Sequence, residues 1–66
     1  MPHRRRRVLI ETSRGHISAG FSVPNSATAV DVSIKLRERG WEPYRVRLDP
    51  ELHAWVAVVI DWKHAA

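Results

Sequence analysis

At 66 residues, with 11 Lys and Arg against 7 Asp and Glu, the chain reads as one small domain of formal net charge +4. Chains below about 70–80 residues seldom draw more than about 3–5 kcal/mol from one core and usually add a staple; with no cysteine, disulfides and thiolate metal sites are excluded. The longest apolar run, residues 54–60, is too short to cross a bilayer, and Val8-Leu9-Ile10 is followed by Glu11, so no signal peptide or membrane partner is expected and a cytoplasmic location is the default.

Residues 1–7 hold four consecutive arginines, Arg4, Arg5, Arg6 and Arg7, and are expected to form a flexible basic arm ahead of one compact domain over residues 8–66. Guanidinium groups in such a tail would follow phosphates with salt-dependent, sequence-independent affinity. The plainer reading is a solvated terminus that keeps the protein soluble.

Val8-Leu9-Ile10 and the alternating Ile17, Ala19, Phe21 and Val23 flank Arg14-Gly15. A two-residue turn there would set Thr12 opposite Ile17, Ile10 opposite Ala19 and Val8 opposite Phe21, one apolar face on a hairpin that Pro24 ends. Leu9 is then the apolar exception on the other face.

The stretch from Asn25 to Trp41 carries two conflicting periods. At period 3.6, Ala27, Val30 and Ile34 form one stripe and Ala29, Val32 and Leu36 a second; at period 2, Val30, Val32, Ile34 and Leu36 alternate with polar residues as in a half-buried strand. The ends favour a helix. Asn25 or Ser26 offers a cap, Thr28 with Asp31 a weaker capping pattern one turn later, and Asp31 precedes Lys35, Arg37 and Arg39 as the helix dipole prefers. Gly40 follows where a left-handed residue closes a helix. If residues 27–37 formed a strand instead, the chain would be all-β.

Tyr44, Val46 and Leu48 alternate with Arg45, Arg47 and Asp49, and 49–54 has turn chemistry with Pro50 at its first corner. Residues 54–62 are apolar on both faces and cannot be an exposed edge. The expected fold is therefore α+β, a small ββαββ domain whose antiparallel sheet has one helix on one face. Depending on whether the 49–54 turn holds three or four residues, Val56, Val58, Ile60 and Trp62 or Trp55, Ala57 and Val59 face the helix. One helix cannot cover both sides, and the remainder, with Leu9, implies a homo-oligomer, a dimer first. The interface set on this reading is Leu9, Trp55, Ala57 and Val59.

For function, Arg4, Arg5, Arg6, Arg7, Arg45 and Arg47 are the candidate nucleic-acid contacts, to DNA or RNA. Tyr44 and Trp41 more naturally pack than stack on bases. The alternative is a protein-interaction module, a small adaptor or inhibitor of the kind phage and mobile elements encode, docking through an apolar sheet face. His3, His16, His53 and His64 lack metal-ligand spacing, and no nucleophile elbow or phosphate-cradling glycine loop occurs, so neither a metal, a cofactor nor catalysis is expected. The run from Ala29 to Leu48, with LRERGW leading into YRVRL, is similar to the helix and following strand of SPOR-type peptidoglycan-binding domains, a resemblance that implies a strand-helix-strand fold and no more.

Overall fold

The computed structural model describes residues 4–60. Strand β1 (Arg5–Thr12) and strand β2 (Ile17–Pro24) form a hairpin, helix α1 (Ala29–Glu38) follows, and strands β3 (Glu42–Asp49) and β4 (Ala54–Ile60) form a second hairpin. The ββαββ order and the α+β class agree with the expectation from sequence. Trp62, Asp61, His3 and His64 lie outside the described residues.

The sheet order is β2-β1-β4-β3. Both hairpins are antiparallel, but β1 and β4 pair in parallel, so the sheet is mixed rather than wholly antiparallel. A single helix between β2 and β3 forces this, because one crossing returns the chain to its starting direction. β2 and β3 then run the same way, and so do their hairpin partners. The apolar strand β4 takes a central position, where strands on both sides satisfy its backbone.

The first hairpin departs from the two-residue turn. Gly15 N–H donates to Thr12 O at 2.9 Å and Thr12 N–H to His16 O at 2.8 Å, so Ser13–Gly15 is a three-residue loop. Gly15 adopts φ +85°, the left-handed conformation that this loop requires. Adding that residue shifts the near half of the hairpin by one: Glu11 faces Ile17, Ile10 faces Ser18 and Leu9 faces Ala19. Past the bulge at Gly20, Val8 pairs with Phe21 as the apolar pattern requires. Ile17 and Ala19 are thereby turned away from the helix, and Ile17 is left 65% exposed.

Helix α1 starts one turn later than Asn25 or Ser26 would place it. Thr28 is the cap: its hydroxyl accepts from Asp31 N–H at 3.3 Å, and the Asp31 carboxylate accepts from Thr28 N–H at 2.9 Å, a reciprocal capping box. At the other end Gly40, at φ +91°, donates to Arg37 O at 3.0 Å while Trp41 N–H donates to Leu36 O at 2.9 Å. This pair of bonds is a Schellman motif, with Trp41 and Leu36 supplying its usual apolar contact.

Of the two apolar stripes on α1, only one is used: Val32 and Leu36 are fully buried, whereas Val30 is 67% and Ile34 48% exposed. The helix rests on Val8, Ile10, Val23, Trp55, Ala57 and Val59, with Phe21, Ala27, Trp41 and Val46 at the margin. The Arg39 guanidinium lies 4.6 Å from the Phe21 ring centroid, a cation–π contact that ties the helix end to β2. Asp49 faces Ala54, so the second turn holds four residues, Pro50–His53. That count settles the parity of β4 in favour of Trp55, Ala57 and Val59 beneath the helix.

Candidate nucleic-acid interface

Side chains paired across a sheet share a face, so the registers give the surface opposite α1 directly. Its rows, read from β2 to β3, are Ala19, Leu9, Val56 and Arg47, then Ile17, Glu11, Val58 and Arg45. Arg7 is paired with Ser22 and Arg5 with Pro24, continuing the same face toward the start of β1. Val56, only 7% exposed, and Val58 on β4 therefore lie beside Arg47 and Arg45 of β3 on one side and Leu9 and Glu11 of β1 on the other, while Arg7 and Arg5 stand beyond Leu9 toward the start of β1. At about 4.8 Å per strand spacing, the two arginine columns stand about 10 Å apart at the backbone.

The expected arm is partly structured. Arg5, Arg6 and Arg7 belong to β1, because Pro24, Val23 and Ser22 of β2 extend far enough to pair with them. Arg4 precedes the strand, and its carbonyl accepts from Asn25 N–H at 2.9 Å. The Arg5 side chain donates from Nε to Ser22 Oγ and from Nη2 to Ser22 O, both at 2.8 Å. Arg6 donates from Nη1 to Asn25 O at 3.0 Å. Arg6 falls on the helix side by alternation, whereas Arg5 and Arg7 fall on the open face. A guanidinium has five N–H donors, so these bonds orient Arg5 and Arg6 without exhausting them.

On β3, Arg45 and Arg47 lie on the open face opposite Val58 and Val56. Arg47 is also 3.2 Å from the Asp49 carboxylate. Asp49 accepts from Leu52 N–H at 3.0 Å and from Glu51 N–H at 2.9 Å. The Leu52 bond foremost, opposed by desolvation and helped by Arg47 and Glu51, holds its carboxyl below the usual aspartate range. Asp49 is thus spent locally on the turn and on Arg47. Glu11 is the other carboxylate of the described residues in these rows.

The interface set requires correction. Ala57 and Val59 are fully buried and Trp55 is 7% exposed, all in the core under α1, so they cannot meet another molecule while the helix is in place. Only Leu9 of that set lies on the open face. Its apolar neighbours there are Val56 and Val58, which the three-or-four-residue turn had left as the alternative. Trp55 Nε1 is buried without a hydrogen-bond partner among the described residues, a cost the core bears for the indole's area.

Tyr44 was expected in the core and is 73% exposed. The register shift between Pro43 and Arg45 bulges it out of the β3 edge. It lines a groove with Val30, Ser33, Arg37 and Arg45. A residue that sequence reasoning did not nominate is His53, which borders a cleft of about 380 Å³ with Arg5, Arg6, Arg7, Leu52 and Ala54. Only the parallel pairing places it there, because that pairing starts at Val8 and Trp55 and so leaves the first residues of β1 beside the turn.

Among the described residues no three His, Asp or Glu side chains gather where they could hold a metal ion, and no helix is long and apolar enough to cross a membrane. No protein-family model matches the chain, and neither a curated protein nor a solved structure is found to resemble it. The likeness to SPOR-type domains therefore stays one of local pattern.

Proposed function

We propose that the protein is a non-catalytic binder of single-stranded nucleic acid, DNA or RNA, and that the open face of its sheet is the binding surface. The observation that carries this reading is the placement of Arg5, Arg7, Arg45 and Arg47 on the one sheet face that α1 does not cover, Arg45 and Arg47 beside Val58 and Val56 and Arg7 and Arg5 diagonally across at the start of β1. A broad sheet of this kind suits a flexible single strand whose phosphates can follow separated arginines. Duplex grooves take a helix or a two-stranded ribbon, and a four-stranded face is too wide for either. Base choice is expected to be weak, since guanidinium contacts to phosphate position a strand without reading it.

The test is fluorescence anisotropy with a labelled single-stranded oligonucleotide at several salt concentrations. Four phosphate contacts to a single strand predict a log–log salt slope of about −3, and Arg45→Ala with Arg47→Ala together should reduce it by about 1.4. No binding at low salt, or an affinity indifferent to both salt and these substitutions, rules the reading out.

A second reading concerns self-association. The same arginines oppose face-to-face stacking of two copies, since like charges would meet. Of the large exposed apolar residues, Ile17 lies on the arginine face, whereas Val30 and Tyr44 line one groove between α1 and the β3 edge. If a homodimer forms, that surface is where it forms, and light scattering of the parent chain against Val30→Asp decides it: a dimer mass that the substitution leaves intact refutes this placement.

A further inference from the structure

We infer that the cleft between the start of β1 and the β3–β4 turn is a phosphomonoester pocket, which seats the terminal phosphate of a strand lying on the open face. This rests on the function proposed above and adds a specific site to it.

The cleft exists because β4 begins late. Pairing between β1 and β4 starts at Val8 with Trp55, so Arg5, Arg6 and Arg7 extend past the end of the neighbouring strand. The turn Pro50–His53 stands across that gap, and the space between is lined by Arg5, Arg6, Arg7, Leu9, Leu52, His53 and Ala54, about 380 Å³ in volume. No carboxylate is among the lining residues that the structure describes. Arg5, Arg6 and His53 also border a smaller recess with Asn25, so the basic lining continues around the end of β1.

Three features make this a seat for a terminal phosphate. First, its components are held: Arg5 by Ser22 and Arg6 by Asn25, each through hydrogen bonds that leave further N–H donors to give. His53 sits at φ +53°, a left-handed conformation that a non-glycine residue adopts at a cost and that aims the end of the turn. Second, the charge matches. A terminal phosphomonoester carries about −1.5 to −2 near pH 7, against −1 for an internal diester, and the Arg5 and Arg7 guanidinium groups of the open face, with the charge of Arg6 on the other side of β1, suit the greater charge.

Third, the position is at the end of the track. A strand running along β4 passes Arg45 and then Arg47 on the β3 side, with Glu11 and Leu9 across from them, reaches Arg7 beyond Leu9, and then meets Leu52 and His53 of the turn. A chain end fits such a stop better than a continuing backbone does.

The experiment compares one oligonucleotide sequence in three forms, with a 5′-phosphate, with a 3′-phosphate and with hydroxyl ends, against the parent chain, Arg6→Ala and His53→Asn. Asparagine is chosen because it tolerates the left-handed backbone. One phosphorylated form is expected to bind about tenfold more tightly than the hydroxyl form, its identity giving the strand polarity, and both substitutions should abolish that preference, His53→Asn leaving hydroxyl-ended binding within about twofold.

Equal binding of all three forms overturns the pocket and leaves the open-face reading standing. Binding by none of them overturns the open-face reading. A titration with inorganic phosphate alone, followed by the NMR signals of the His53 ring and the Arg6 side chain, then decides the pocket separately. Movement of both signals supports it, and no movement overturns it.

Discussion

A Cβ built on Gly20 would stand 2.6 Å from Cδ1 and 2.9 Å from Cγ1 of Ile10, and 3.1 Å from the Val8 carbonyl oxygen. Gly20 is the extra residue of the β2 bulge, and the close approach is how that bulge lets β2 return to register without opening the core. Gly20→Ala is therefore expected to destabilise the fold by about 1–3 kcal/mol in urea denaturation. Ile10→Val, which removes the nearer carbon, should cost about 0.5–1.5 kcal/mol alone and recover at least about 0.5 kcal/mol of the alanine's penalty in the double variant. Strict additivity of the two would show that the backbone, rather than Ile10, absorbs the new methyl.

The helix start offers a clean comparison of two candidate residues. Thr28→Ala removes the hydroxyl that accepts from Asp31 N–H and should cost about 1 kcal/mol, within about 0.5–2. Ser26→Ala lies outside the cap and should change stability by less than about 0.5 kcal/mol. Equal losses in the two variants would contradict the capping box.

Asp49 links stability to pH. Its carboxyl is held below the usual aspartate range in the folded protein, chiefly by the Leu52 N–H. A depressed folded value means that the contribution is fully present above the unfolded pKa, near 3.9, and is lost as pH falls through the folded one. The parent chain should therefore lose its advantage over Asp49→Asn as urea midpoints are followed from pH 6 down to pH 3. A difference that stays constant over that range would mean that the carboxylate's charge does not matter there.

Trp55 and Leu9 were nominated together for one interface, and the fold separates them. Trp55→Ala empties a core site and should cost about 3–5 kcal/mol, enough to unfold a domain of this size by circular dichroism. Leu9→Ala, at a half-buried position on the open face, should leave the spectrum folded. A folded Trp55→Ala protein would contradict the position of α1 over β4.

Much of the architecture was legible along the chain. The two apolar hairpin segments, the charge order across Asp31, Lys35, Arg37 and Arg39, and Gly40 after them are local signals, and local energetics read them: caps, dipoles and turns each act within a few residues. The same locality explains the errors. A loop of three residues rather than two at Ser13–Gly15 reverses the face of Ile17 and Ala19, because side chains alternate with period 2 and one residue flips them all. Thr28 displaced Asn25 and Ser26 for a similar reason, since only its partner Asp31 stands three residues on with a carboxylate.

By itself the sequence determined that a small basic chain would pair two hairpins through a helix and would place Arg45 and Arg47 at alternate positions on β3. The tertiary structure alone decided that Arg5 and Arg7 share one face with them, that Trp55, Ala57 and Val59 lie beneath the helix, and that His53 meets Arg5, Arg6 and Arg7. The reason is that faces and neighbours depend on register between strands distant in sequence, a quantity set by the whole core at once and absent from any single stretch of residues.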